Sequence, residues 1–246
     1  MKKVMITSAN TKSKISNICV NQDGYEVDLM CYNSTNFPSR QNSLQPRTLG
    51  KIPKMLAWEL HPSYDYYIWI DSIFNFKRSD CVQWFVDQLG DSDAAFFTHP
   101  KRDTVKNELD FCIKNMKMGD QHLLNKYEGE RMEEQVEYYY KNGFNDNLLI
   151  AAGAFIYRSD LVANKLYNVM KEWFYHNCLY SIQDQLSLPY LLQLFNVKYN
   201  VINENIYECK YITEKLEWDY FDKNRKELLN IISETDFLTN LYKNKI

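Results

Sequence analysis

The run Tyr66-Tyr67-Ile68-Trp69-Ile70 sits between two acids, Asp65 and Asp71. Five consecutive apolar residues without polar alternation are too short for a core helix, and they fit a strand whose two faces are both buried. A strand of that kind needs a layer of structure on each side, which excludes a one-sided antiparallel sheet and points to helices packed above and below. Ala94 to Thr98 repeats the pattern, and Leu148 to Tyr157 (LLIAAGAFIY) extends it with Gly153 inside, reading as a kinked strand or two short ones.

The remaining elements alternate with these strands. Lys3 to Thr7 and Tyr25 to Cys31 read as strands, the second with period-two alternation, and 33–45 reads as a loop containing Pro38. Ser79-Asp80 is expected to cap a helix reaching Leu89. Two helices broken near Gly119 are expected between Asp103 and Tyr140. Ser159-Asp160 is expected to cap a helix to about His176, and Ile182 to Phe195 forms another before a strand at Val197 to Ile202. The expected fold is α/β, a Rossmann-like three-layer sandwich with a mostly parallel sheet over 1–213, followed by an amphipathic helical tail over 214–246.

With 45% hydrophobic residues in 246, there is enough apolar material for one sizeable core. A net charge of −3 offers no basic field for nucleic acid, so that partner is not expected. No apolar run reaches the roughly 18 to 20 residues of a membrane span, and MKKVMITSAN shows no signal-peptide core. The chain is therefore expected to be cytoplasmic, with only its amphipathic tail available for peripheral membrane contact. Six cysteines without a C-x-x-C pair or histidines at zinc spacing read as reduced thiols. No phosphate loop, dinucleotide fingerprint, zincin motif or nucleophile elbow is present.

Asp71 is the residue that turns this frame toward function. In open α/β sheets ligands bind beyond the carboxyl ends of the strands, and Asp71 stands at such an end. An isolated Asp there is ordinarily a turn residue, but its surroundings are not ordinary. RTLGK (Arg47, Lys51) precedes the strand; THPKRDTVKNE (His99, Pro100, Arg102, Glu108), AAGAFIYR (Gly153, Arg158) and SIQDQLSLPY (Ser181, Asp184, Gln185, Ser187) follow it. In kind and order these segments resemble those of a GT-A glycosyltransferase group first catalogued as a domain of unknown function. Its plant members, of the TOD/MUCI kind, are implicated in pectin synthesis, and it includes bacterial polysaccharide glycosyltransferases. The resemblance runs from Arg47 to Tyr190, most of the chain.

The resemblance implies a hexosyl- or pentosyltransferase moving sugar from a nucleotide sugar, expected to be a UDP-sugar, to a saccharide hydroxyl in surface polysaccharide, capsule or lipopolysaccharide. It assigns the donor to Ser8, Arg47, Lys51, Asp71 and Ser72, and the acceptor to His99, Arg102, Glu108 and Gln185. Asp184 and Asp71 are the implied catalytic acids. Asp184 would deprotonate the acceptor in an inverting enzyme or support the oxocarbenium-like centre in a retaining one. Arg102 and Glu108 would pair to order the acceptor loop; Trp173 reads as core and Tyr175 as a sugar-stacking ring. The sequence departs from the group at one place: a D-x-D pair would need an acid at 73, where Ile73 stands. Mn²⁺ or Mg²⁺ on Asp71 is thus an open expectation, since one carboxylate is a thin donor set for a hard cation. A non-catalytic nucleotide-sugar or glycan-binding subunit with the same shell is the competing reading.

Overall fold

The computed structural model describes residues 1–10, 17–33, 35–37, 46–159 and 166–214. Contacts divide the chain after Thr213, and the expected helical tail at 214–246 lies outside the described residues apart from the Glu214 backbone. In chain order the elements are β1 (Lys2–Asn10), β2 (Tyr25–Asn33), α1 (Pro46–Met55), α2 (Ala57–Leu60), β3 (Tyr66–Ile70), β4 (Phe74–Asn75), α3 (Cys81–Leu89) and β5 (Ala94–Thr98). They continue as α4 (Val105–Lys117), α5 (Gln121–Tyr127), α6 (Met132–Lys141), β6 (Ile150–Arg158), α7 (Leu166–Leu179), α8 (Asp184–Leu194) and β7 (Tyr199–Ile202).

Six strands form the central sheet in the order β2-β1-β3-β6-β5-β7. Strand β3 is buried at every position, and its alternating side chains feed two cores. Tyr67 and Trp69 join the cluster packed under α4 to α8. Tyr66, Ile68 and Ile70 join the opposite cluster, where α3 contributes Val82, Trp84, Phe85 and Leu89. Burying a large apolar side chain contributes about 1.5–3 kcal/mol, so this one strand supplies gross stabilisation comparable to the net stability of a typical domain. The expected three-layer α/β sandwich is therefore the fold. Among the described residues no helix is long and apolar enough to cross a membrane.

The sheet is mostly parallel, with β6 as the exception: it runs antiparallel to both neighbours, β3 and β5. Leu148 to Tyr157 thus becomes one strand, Ile150–Arg158, with the expected kink inside it: β5 steps from Phe96 to Phe97 while its partner in β6 steps from Phe155 to Ala151, so the irregularity takes in Gly153. The region from Asp103 to Tyr140 holds three helices where two were expected. Gly119 and Gly129 both adopt left-handed backbone, at φ +87° and +80°, and each ends a helix. Helix α8 starts at Asp184 and β7 at Tyr199, each two residues later than expected.

Capping corrects one further expectation. Asp80 precedes α3 but makes no cap with its side chain; it is drawn to Arg78. The vacant backbone donor of Val82 goes instead to the Gln22 amide oxygen at 2.9 Å, from a distant loop. The expected Ser159-Asp160 cap falls partly on residues outside those described. Helix α4 is held more firmly: Thr104 caps Asn107, and Asp146 accepts from the Val105 and Lys106 amides at 2.7 and 2.8 Å.

Candidate active site

The carboxyl ends of β1, β3 and β5 and the first turn of antiparallel β6 meet at one edge of the sheet. A cavity of about 540 Å³ opens there, lined by Asn10, Asp71, Ser72, His99, Ala152 and Gly153 from the sheet and its loops. Helix α1 closes one side. Its Arg47, Lys51 and Lys54 recur at i, i+4 and i+7, so 3.6 residues per turn place all three on one face, and all three line the cavity. Pro46 suits the first helical position because its missing N–H has no partner there anyway. The Pro53 carbonyl accepts from Thr7 Oγ1 at 3.0 Å, tying the end of the helix to β1.

Asp184 sits at the centre of the charge network. Its side chain is 8% exposed, and Oδ2 accepts from both Lys51 Nζ and Lys54 Nζ at 2.6 Å. Lys54 Nζ also lies 3.8 Å from Asp71 Oδ1, and its ammonium faces the rings of Trp69 and Trp173 at 5.4 and 5.9 Å. Burial alone would raise the Asp184 carboxyl, but the two ammonium groups hold it well below the usual carboxylate range. Burial likewise lowers Lys51, with Lys54 adding to it and Asp184 opposing, to about 8. For Lys54 burial is outweighed by Asp184 and Asp71, which raise it. The Asp184 backbone carbonyl is anchored by Trp173 Nε1 at 2.9 Å.

Asp71 is the open carboxylate, with its side chain 43% exposed. Oδ1 accepts from Trp69 Nε1 at 2.9 Å, and its backbone N–H donates to the Gly153 carbonyl at 2.7 Å. A Cβ on Gly153 would lie 3.4 Å from Asp71 Oδ2 and 3.1 Å from Ile206 Cδ1, so glycine leaves room beside the acid.

On the facing wall, Arg102 pairs with Glu108, as expected. The buried Glu108 is fully engaged, since its second oxygen accepts from Gln183 Nε2 at 2.5 Å, and it joins α4 to the start of α8. His99 folds back on its own turn: Nδ1 accepts from the Arg102 amide at 3.0 Å, and Nε2 lies 2.9 Å from Arg102 Nη2. Burial, then Arg102 and Lys101, lower its pKa to about 4, so the ring is neutral at pH 7. Gln185 completes this wall. Cys112 also lines the cavity, but burial and the Glu108 charge push its thiol up to about 12, which removes it as a nucleophile.

Of the residues singled out in the sequence, Arg47, Lys51, Asp71, Ser72, His99, Arg102, Glu108, Asp184 and Gln185 converge on this cavity. Ser8 does not. Strand β1 continues two residues beyond it, and its hydroxyl turns inward to donate to Asn17 Oδ1 at 2.6 Å. Asn17 in turn donates to the carbonyls of Phe74 and Asp71 at 2.6 and 3.2 Å, so Ser8 braces the Asp71 turn from behind. Arg158 lies at the opposite end of β6, bonded to the carbonyls of Ser92 and Gly90. Trp173 is core, and Tyr175 is exposed on α7 without lining the cavity. Two cations were missed: Lys54, which the i, i+4, i+7 spacing with Arg47 and Lys51 would have revealed, and Lys126 of α5, for which the sequence carries no comparable signal. The lining thus holds five fixed cations (Arg47, Lys51, Lys54, Arg102, Lys126) against three carboxylates (Asp71, Glu108, Asp184), in a chain whose net charge is −3.

A family model described as TOD1/MUCI70, glycosyltransferase-like domain, matches residues 39–215. No curated protein matches the chain. Among solved structures, a glycosyltransferase involved in glycosylation of the major capsid of PBCV-1 is similar at 11% identity, covering 81% of each chain with a TM-score of 0.41. Mouse xyloside xylosyltransferase 1 is similar at 6% identity, over 82% of this chain and 84% of its own, with a TM-score of 0.43. The 4-diphosphocytidyl-2C-methyl-D-erythritol synthase of Anaerococcus prevotii is similar at 11% identity, over 83% and 90%, with a TM-score of 0.39.

Proposed function

The chain belongs to the TOD1/MUCI70 glycosyltransferase-like family, and we propose that it transfers a sugar from a nucleoside diphosphate sugar, with UDP as the nucleotide, to a hydroxyl of a saccharide acceptor in surface polysaccharide synthesis. The observation that carries this reading is the excess of two positive charges converging in a 540 Å³ crevice at the strand ends. As the anomeric C–O bond breaks, its electron pair goes to the departing diphosphate, and cations already aimed at that group lower the barrier without reorganising. Arg47, Lys51 and Lys54 present that charge from one helix face, and Lys126 of α5 adds to it. An Arg fork matches phosphate oxygens in pairs, so Arg47 is the residue suited to grip the diphosphate geometrically.

Asp71 takes the sugar side. It is the exposed carboxylate of the three, it is backed by Trp69, and it is placed to accept from a hydroxyl and to take the acceptor's proton as the new C–O bond forms. Asp184 is assigned a different part from the catalytic acid first envisaged. A carboxylate buried under two ammonium groups, and held far below the neutral range, is a poor proton acceptor but a firm anchor, so it positions Lys51 and Lys54. His99, Arg102 and Gln185 form the acceptor wall, braced by Glu108.

The missing acid at Ile73 favours the competing reading of a binding subunit, and one experiment addresses both. A thermal-shift screen of nucleotide sugars should raise the melting temperature, because a ligand at 100 times its Kd stabilises by about 2.7 kcal/mol. Slow release of UDP from the stabilising donor marks an enzyme; stabilisation without turnover on any saccharide acceptor marks the binding subunit. No shift with any nucleotide sugar would sink the transferase reading and leave only a glycan-binding subunit.

A further inference from the structure

Glycosyltransferases of the GT-A group commonly place a divalent ion on paired acids against the donor's diphosphate, and the residues of this crevice do not fit one. Ile73 stands where the second acid would be and packs against the hydrophobic cluster beneath the sheet. Asp184 Oδ2 is taken by two ammonium groups, and both oxygens of Glu108 are engaged by Arg102 and Gln183. Among the described residues no group of three His, Cys, Asp or Glu side chains could hold a metal ion. A hard divalent cation seeks six or more oxygens; Asp71 alone offers too few, with a lysine ammonium already 3.8 Å away.

We propose that the ammonium of Lys54, lodged between Asp71 and Asp184, is the built-in cation of the site, and that the donor's diphosphate is bound and neutralised by α1 side chains without a divalent ion. The proposal rests on the nucleotide-sugar reading above. Its geometry is that of a bridging cation: one carboxylate at 2.6 Å, a second at 3.8 Å, and aromatic rings of Trp69 and Trp173 closing the sides. One ammonium carries half the charge of a divalent ion, and the remainder is at hand on the same helix face in Lys51 and Arg47. The position is preorganised as well. Lys54 is only 6% exposed, so its orientation is set by packing before any ligand arrives, and the Pro53 carbonyl beside it is tied to Thr7. A second cation placed at Asp71 would be repelled by the one already there.

The test is calorimetric titration of UDP into the full chain, first with EDTA and then with Mn²⁺ or Mg²⁺. The expected result is a Kd that agrees within about twofold across the three conditions, and a loss of at least about tenfold for Lys54→Met in all of them. Binding that disappears in EDTA and returns with Mn²⁺ overturns the proposal while leaving the nucleotide-sugar reading intact. Failure of UDP and other nucleoside diphosphates to bind under any condition overturns both. A circular dichroism melt shows whether Lys54→Met folds; if it does not, the three wild-type titrations decide alone. A Lys54→Met protein that folds and binds UDP like wild type also refutes the assignment.

Discussion

Replacing Asp184 with Asn keeps the shape of the side chain and removes its charge, which makes it the sharpest probe of the lysine network. In the wild-type protein Oδ2 accepts from Lys51 and Lys54 at 2.6 Å, in a pocket where Asp184 is 8% exposed. Removing one partner of a buried ion pair costs about 3–5 kcal/mol because a charge is left uncompensated. The amide oxygen still accepts one hydrogen bond, and Lys54 keeps Asp71 at 3.8 Å, so the lower figure, about 3 kcal/mol, is expected. For a chain of this size each kcal/mol shifts the melting temperature by about 2–4 °C, giving a fall of roughly 6–12 °C at pH 7.

The pH dependence of that fall is the diagnostic part. Lys51 is held at about 8 against an ordinary lysine value of 10.5. Between those values the unfolded chain binds a proton that the folded chain has released, so stability rises with pH over that window. Without the Asp184 charge Lys51 releases its proton at still lower pH, and the repulsion between the two lysines is relieved sooner. The deficit of Asp184→Asn should therefore narrow between pH 7 and pH 9 in parallel scanning-calorimetry melts of both proteins. A variant melting within about 2 °C of wild type at pH 7, or a deficit that does not change with pH, would refute the claim that Asp184 holds two charged lysines.

Two more outcomes follow from the same contacts. Ser8→Ala removes the bond to Asn17 Oδ1 and should cost about 1–3 kcal/mol of stability in a denaturant melt, with UDP affinity unchanged; lost affinity at unchanged stability would put Ser8 against the donor after all. His99 and His176 are both lowered to about 4, chiefly by burial. The unfolded chain therefore binds more protons than the folded one as pH falls from 6.5 toward 4, stability is lost across that window, and His176→Phe should flatten the slope of a pH-melting series; an unchanged slope would count against a buried neutral His176.

Strand positions were legible because two-sided burial leaves a run of apolar residues that nothing else explains, as at Tyr66 to Ile70. Strand direction was not, because a buried strand reads the same forwards and backwards; the reversal of β6 depends on how 103–149 crosses the sheet. Helix α1 escaped notice because Gly50 and Pro53 interrupt its pattern, and with it went Lys54, which looks like an ordinary surface lysine until the helix face is drawn. The Arg102–Glu108 pair was anticipated only through the family resemblance of THPKRDTVKNE, since residues six apart carry no pairing signal of their own. That Ser8 faces inward was not, since the end of β1 had to be known to within two residues. Lys126 comes to the crevice only through the packing of α5, which no local pattern reports.

The antiparallel strand in the middle of the sheet also makes the site depend on a single seam. β2, β1 and β3 pair among themselves, as do β5 and β7, but the two groups meet only through β6, where Ile70 finds Ala154 and Ala94 finds Tyr157. Asp71 and His99 stand on opposite sides of that seam. The crevice thus exists only where β6 joins both neighbours, and a chain with that seam open would carry every residue of the site and no site.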